Sequence, residues 1–264
     1  IQPTAYSFAT VITAWAKAQV GRNKRHNAER AQFILNRMND FRRKVGSKDT
    51  DREYASQLYP DAVVYNAVLD AWARSRDPIA GTRAEELLAQ LEELSRQDDR
   101  LSPDTITYNS VINCHANSLH MNAAKAAESI LMKMEKLKKE GSNIRPNTLT
   151  YNQVLKTHSK SKLPGAAQRA DMILKYMIHN GVRNDEIRPD VVSFSTCLDV
   201  WAKSKEPGKA EKAYAILQKM IEFHKMTGIE RMKPNQVTYN TVFNACAFSA
   251  FTPDAEKKQA LKIA

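Results

Sequence analysis

Asn66, Asn109, Asn152 and Asn240 occupy one recurring place in the chain, and Ser195 and Ala9 fill it in the two remaining copies. A second recurring place reads Asp61, Asp104, Asn147, Asp190 and Asn235. A third is basic in four copies, Lys17, Arg74, Lys160 and Lys203, with Asn117 and Phe248 in the others. An amide both donates and accepts, a carboxylate only accepts, and an ammonium or guanidinium attracts anions. Columns of such groups suit recognition by hydrogen bonds and charge; they make and break no bonds.

The residues that could make or break bonds are poorly placed for it. His115 and His158 share their register with Trp15, Trp72 and Trp201, which marks a core position. His26, His120, His179 and His224 have no carboxylate or cysteine pattern around them. The three cysteines, Cys114, Cys197 and Cys246, form no C-x-x-C pair, so neither a disulfide framework nor a zinc site is expected, and a reducing compartment is. No Gly-rich phosphate loop, nucleophile–base pair or metal-ligand spacing occurs. The expectation is a protein that is not an enzyme and holds no metal or cofactor, with no small-molecule substrate.

Charge points to the kind of partner. The formal net charge of the 264 residues is +11, which favours a polyanion, most often nucleic acid. The runs RNKR (22–25), FRRK (41–44) and KLKK (136–139) read as solvated loops and helix ends that add unspecific attraction. No stretch approaches eighteen consecutive apolar residues, so no membrane span is expected.

A fixed ruler positions these columns. A proline is followed five residues later by an aromatic at Pro3/Phe8, Pro60/Tyr65, Pro103/Tyr108, Pro146/Tyr151, Pro189/Phe194 and Pro234/Tyr239. The intervals between prolines are 57, 43, 43, 43 and 45. A second landmark, an alanine with leucine four residues on, recurs at Ala31, Ala84, Ala127, Ala170 and Ala213. Each unit therefore carries two helices, A and B. With register 1 set two residues after the proline, units span 5–61, 62–104, 105–147, 148–190, 191–235 and 236–264. Registers 4, 7, 8 and 11 form an apolar stripe at helical period, as do Ala84, Leu87, Leu88, Leu91 and Leu94 in helix B. One hairpin cannot bury both stripes, whereas stacked hairpins can, so the predicted fold is an all-α solenoid.

Boundaries have physical causes as well. Proline suits the start of a helix or the turn before it, and the Asp or Asn that follows is a cap residue. Ser or Thr stands at register 3 in five of six units. Segments between units, such as 95–103 and 138–146, are polar, and 44–60 reads as a flexible insertion. The chain starts at Ile1 inside the recurring phrase and stops within a helical pattern, so it reads as an excerpt of a longer protein.

Packing does not explain register 5, the asparagine column, because asparagine is a middling-to-poor helix former. The closing Asp/Asn column admits two uses, helix caps or ligand contacts. Cations at register 13 beside amides at register 5 are what a single strand needs: cations for phosphates, amides for base edges. Register 2 is apolar throughout, Tyr6, Val63, Ile106, Leu149, Val192 and Val237; these side chains either clamp between bases or pack between repeats.

DTITYNSVI (104–112), NTLTYNQVL (147–155) and NQVTYNTVF (235–243) resemble the pentatricopeptide repeat family, and the resemblance covers the whole chain, five complete repeats and most of a sixth. Its usual repeat is about 35 residues, near the 34 of the related tetratricopeptide repeat. Here it is 43, with roughly three extra residues between the helices and five after helix B. The resemblance implies a right-handed superhelix of stacked helix-turn-helix hairpins that binds single-stranded RNA, one base per repeat. Register 5 and the closing residue would choose the base: Asn66 with Asp104 and Asn152 with Asp190 imply U, Asn109 with Asn147 a pyrimidine, Ser195 with Asn235 A. Ala9 with Asp61 fits no familiar pair, and Asn240 lacks its partner. The implied target is 5′-N-U-Y-U-A-N-3′. Val63, Ile106, Leu149, Val192 and Val237 would clamp bases, and Lys17, Arg74, Lys160 and Lys203 would meet phosphates.

The resemblance further implies work in RNA processing, stability or translation, in a mitochondrion or chloroplast. Two rivals stand beside it. One is a protein-binding scaffold of the tetratricopeptide kind, whose W-x-x-L-G-x-x-Y signature is not found. The other is the RNA-targeting arm of a larger enzyme.

Overall fold

A computed structural model describes residues 4–18, 24–46, 58, 60–96, 101–161 and 163–247. Among them the regular structure is entirely helical: eleven α-helices and two short 3-10 turns. The A helices are α1 (Ala5–Lys17), α3 (Ala62–Ser75), α5 (Thr105–Asn117), α7 (Thr148–Lys160), α9 (Val191–Lys203) and α11 (Gln236–Ala247). The B helices are α2 (Lys24–Gly46), α4 (Ala80–Ser95), α6 (Ala123–Lys139), α8 (Ala166–Gly181) and α10 (Lys209–Thr227). Every A helix begins at the register predicted from the proline ruler. No helix among the described residues is long and apolar enough to cross a membrane.

The chain forms two compact units, residues 1–145 and 146–264. In the first, α1, α3 and α5 lie side by side, and α2 and α4 each pack against their own A helix and the next. In the second, α7, α9 and α11 form the A layer, backed by α8 and α10. The predicted core registers fill both interiors, except that Val11 of α1 and Tyr239 and Phe243 of α11 are exposed, because no further described helix covers them. Tyr65, Val68, Leu69 and Trp72 are buried in α3, and Phe194, Cys197, Leu198 and Trp201 in α9. The landmark alanines Ala31, Ala84, Ala127, Ala170 and Ala213 are all fully buried, where a larger side chain would hold the layers apart.

His115 and His158 belong to this core, each 5% exposed. The His115 ring lies against Gly81 of α4, where an added Cβ would come 2.3 Å from Nδ1. Its Nε2 is 2.8 Å from a Glu85 carboxylate oxygen. Burial holds this imidazole below its usual range; Glu85 opposes the shift and His120 adds to it.

The connections after the B helices are less solvated than their polar letters predict. Leu58, Leu101, Ile187 and Met232 each stand two residues before the repeat proline, and each is buried; Ile144, in the same place, is half-buried. The 3-10 turns Asp185–Ile187 and Glu230–Met232 carry two of them inward. By the resemblance, roughly five of the residues added to the usual repeat length fall in this segment. Register-1 threonines tie this segment down: Arg145 N donates to Thr105 Oγ1 at 3.1 Å, and Thr148 Oγ1 donates to the Arg188 carbonyl at 2.7 Å.

Two segments depart from expectation in extent. Helix α2 continues to Gly46, so the insertion expected over 44–60 begins later; residues 47–57 and 59 lie outside the described residues. Gly165 and Gly208, at φ +81° and +69°, make the left-handed turns that lead into α8 and α10.

Candidate nucleic-acid interface

Registers 2, 5, 9 and 13 are three or four residues apart, so on an α-helix they form one stripe. On α3 and α7 this stripe runs from an apolar residue through an amide and a second polar residue to a cation; α1 has Ala9, α5 Asn117 and α9 Ser195 in place of one of these groups. The register-2 residues Tyr6, Val63, Ile106, Leu149, Val192 and Val237 are 54–81% exposed. Packing between repeats, the rival use for this column, does not cover them.

In the first unit Asn66 is half-buried and Asn109 buried, while Ala9 offers no polar group. Asn66 Oδ1 is buried and receives no hydrogen bond. Asp61 caps α3 by accepting from Val64 N at 3.0 Å, and Asp104 caps α5 by accepting from Thr107 N at 2.7 Å. Arg74 is paired with Asp70 at 2.7 Å, and Asn117 donates to Asn113 at 3.2 Å. Lys17 is exposed in the last turn of α1.

The second unit repeats the pattern and adds a link. Asn147, Asp190 and Asn235 cap α7, α9 and α11, accepting from Thr150 N, Ser193 N and Thr238 N at 3.1, 2.9 and 3.0 Å. Asn152 Nδ2 donates to Asp190 Oδ1 at 3.0 Å, and Ser193 Oγ donates to Asn152 Oδ1 at 2.6 Å. Ser195 is half-buried and Asn240 exposed. Lys203 pairs with Asp199 at 2.6 Å, and Ser159 Oγ donates to the same carboxylate. Lys160 is exposed at the end of α7. A cavity of about 420 Å³ opens beside Val192, walled also by Thr148, Arg188, Pro189, Asp190 and Met232.

Of the two uses weighed for the closing column, the structure shows the caps. Each described Asp or Asn caps the next A helix, and Asp190 also holds a register-5 amide. Of the predicted pairs, the structure joins Asn152 with Asp190 by a direct bond. Asn109 stands in the first unit and Asn147 in the second. Sequence reading missed the register-9 acids Asp70 and Asp199, which partly neutralise two predicted phosphate contacts; an acid four residues before a base was the available signal. A further cavity, of about 470 Å³ between α2 and α4, mixes Arg42 and Arg43 with Asp40 and Glu93 and favours neither sign of charge. Among the described residues no group of three or more His, Cys, Asp or Glu is placed to hold a metal ion.

An all-α chain of stacked two-helix repeats, with a polar and apolar stripe along its A helices, defines a helical-repeat solenoid built for recognition. The chain belongs to the pentatricopeptide repeat family, whose domain model matches residues 97–161 and 177–247. A search among curated proteins finds no match. The family is one of helical-repeat RNA-binding proteins.

Proposed function

We propose that the chain binds single-stranded RNA sequence-selectively through the stripe on its A helices and performs no chemistry itself. The carrying observation is the register-2 column, six apolar side chains each left more than half exposed beside a polar reading position. Isolated surface apolar residues are ordinary, but one at the same place in every repeat is a ligand surface. Flat bases slot between such side chains, amides and carboxylates at register 5 and the repeat's close meet base edges, and the register-13 cations meet phosphates. The net charge of +11 supports a polyanionic partner. The reading extends to a role in organellar RNA processing, stability or translation.

Binding of the chain to short labelled RNAs at two salt concentrations tests this. The set comprises an oligonucleotide with UYUA, a scrambled version and a DNA copy. A preference for the UYUA RNA that disappears in Asn66→Ala plus Asn152→Ala supports the reading. Equal, steeply salt-dependent binding to all three reduces it to a basic surface and favours a protein partner.

A further inference from the structure

Asn66/Asp104 and Asn152/Asp190 are the same pair in letters and differ in structure. An Asp carboxylate only accepts, so the Asn152 group facing Asp190 Oδ1 at 3.0 Å is the NH2. Its carbonyl oxygen then faces Ser193 Oγ at 2.6 Å and takes that hydroxyl's one proton in preference to Asp190 Oδ1, which lies 3.0 Å from the same Oγ. Flipping the amide would set carbonyl against carboxylate and force the Ser193 hydroxyl to change from donor to acceptor. Asn152 is only 9% exposed, so water does not readily replace what a flip would lose. Beside the second-repeat pair the corresponding hydroxyl, Thr107 Oγ1 of the third repeat, is spent on Asp104 Oδ1 at 2.8 Å. Asn66 Oδ1 is left buried without a donor.

We infer that Ser193 is a positioning residue for base choice: it locks the Asn152 amide, so the fourth repeat reads its base strictly, while the second repeat tolerates a change. This rests on the RNA-binding reading above. The locked amide leaves one Nδ2 proton and the second Asp190 oxygen for a ligand, an adjacent donor and acceptor. Uracil complements them with a carbonyl oxygen and N3–H. Cytosine presents an acceptor at N3 in place of that donor, and suits an amide turned the other way. No donor fixes the Asn66 carbonyl, so that amide turns to meet either pyrimidine.

The test is RNA binding by the full 264-residue chain, with oligonucleotides that differ only by U→C at the base of the fourth or of the second repeat. Wild type is compared with Ser193→Ala and with Thr238→Ala. The latter removes the equivalent capping hydroxyl from α11, which donates to Asn235 at 3.1 Å, and leaves Asn152 untouched. Wild type should favour U over C by about tenfold at the fourth-repeat base and by clearly less at the second. Ser193→Ala should bring the fourth-repeat ratio down to the second-repeat level and leave the second-repeat ratio alone; Thr238→Ala should change neither. A wild-type ratio equal at both sites, or a Ser193→Ala chain that weakens on every RNA alike with its ratio intact, overturns the inference alone. A wild type that binds all sequences equally overturns the RNA reading and the inference with it.

Discussion

Asn152 and Asp190, 38 residues apart, are joined by an amide-to-carboxylate hydrogen bond of 3.0 Å, and the same Asp190 oxygen accepts from Ser193 N at 2.9 Å to start helix α9. One carboxylate therefore serves the fold of one repeat and the polar face of the repeat before it. The two duties are separable by mutation.

Asp190→Asn keeps a cap, since Asn147 and Asn235 already cap α7 and α11. Its unfolding free energy should stay within about 0.5 kcal/mol of wild type, while the fourth-repeat preference relaxes from uracil to either pyrimidine. Asp190→Ala should lose about 1 kcal/mol of stability as well. Denaturant titration and RNA binding on the same samples distinguish the two.

Val192→Ser and Val237→Ser alter side chains that are 54% and 64% exposed. Stability should move by no more than about 0.5 kcal/mol. RNA affinity should fall several-fold per site, the equivalent of about 1 kcal/mol of apolar surface no longer buried on binding. A loss of stability with unchanged affinity would make this column structural.

Ile187→Ala empties a buried position in the lengthened connection after α8. A cost of about 2–4 kcal/mol is expected, against a near-neutral result for a solvated loop. Urea unfolding measures it, and Leu101→Ala gives the matching value in the first unit.

Gly81→Ala sets two effects against each other. Alanine improves the helix by about 1 kcal/mol, but its Cβ would lie 2.3 Å from His115 Nδ1, and overpacking costs about 1–3 kcal/mol. The substitution should destabilise wild type and stabilise His115→Ala, a reversal that a double-mutant cycle detects.

His115 also makes a pH prediction. Its folded pKa is depressed by burial, so below the unfolded value of about 6.5 the unfolded chain binds a proton that the folded one refuses. Stability contributed by the neutral, buried ring is complete above that pH and declines as pH falls toward the folded pKa. Unfolding at pH 7.5, 6.5 and 5.5 should show this slope, and His115→Gln should flatten it.

Much of the fold was legible because it repeats. The proline, the cap and the apolar stripe recur at fixed distances, so the start of every A helix and the burial of His115 and His158 followed from alignment of the chain with itself. The inward turn of Ile187 and Met232 was harder to see, since one apolar residue in a polar segment has no period of its own. It too becomes visible when Leu58, Leu101 and Ile144 are placed beside it. The bond from Ser193 to Asn152 was not legible at all. Thr107 offers the same hydroxyl at the same register and donates it to Asp104, so the letters alone do not say which partner the proton goes to.

On the RNA-binding reading proposed for this chain, the double duty of the closing residue also limits how such a protein can change its target. A residue that must accept a backbone N–H at a helix start is drawn from Asp, Asn, Ser and Thr; this chain uses Asp or Asn at the close of its repeats and Thr4 before α1. Any drift outside that set loosens the next hairpin as it alters the contact, so a new preference can arise cheaply by only a few steps. The recognition alphabet at this position is short because helix geometry has already struck out the other letters.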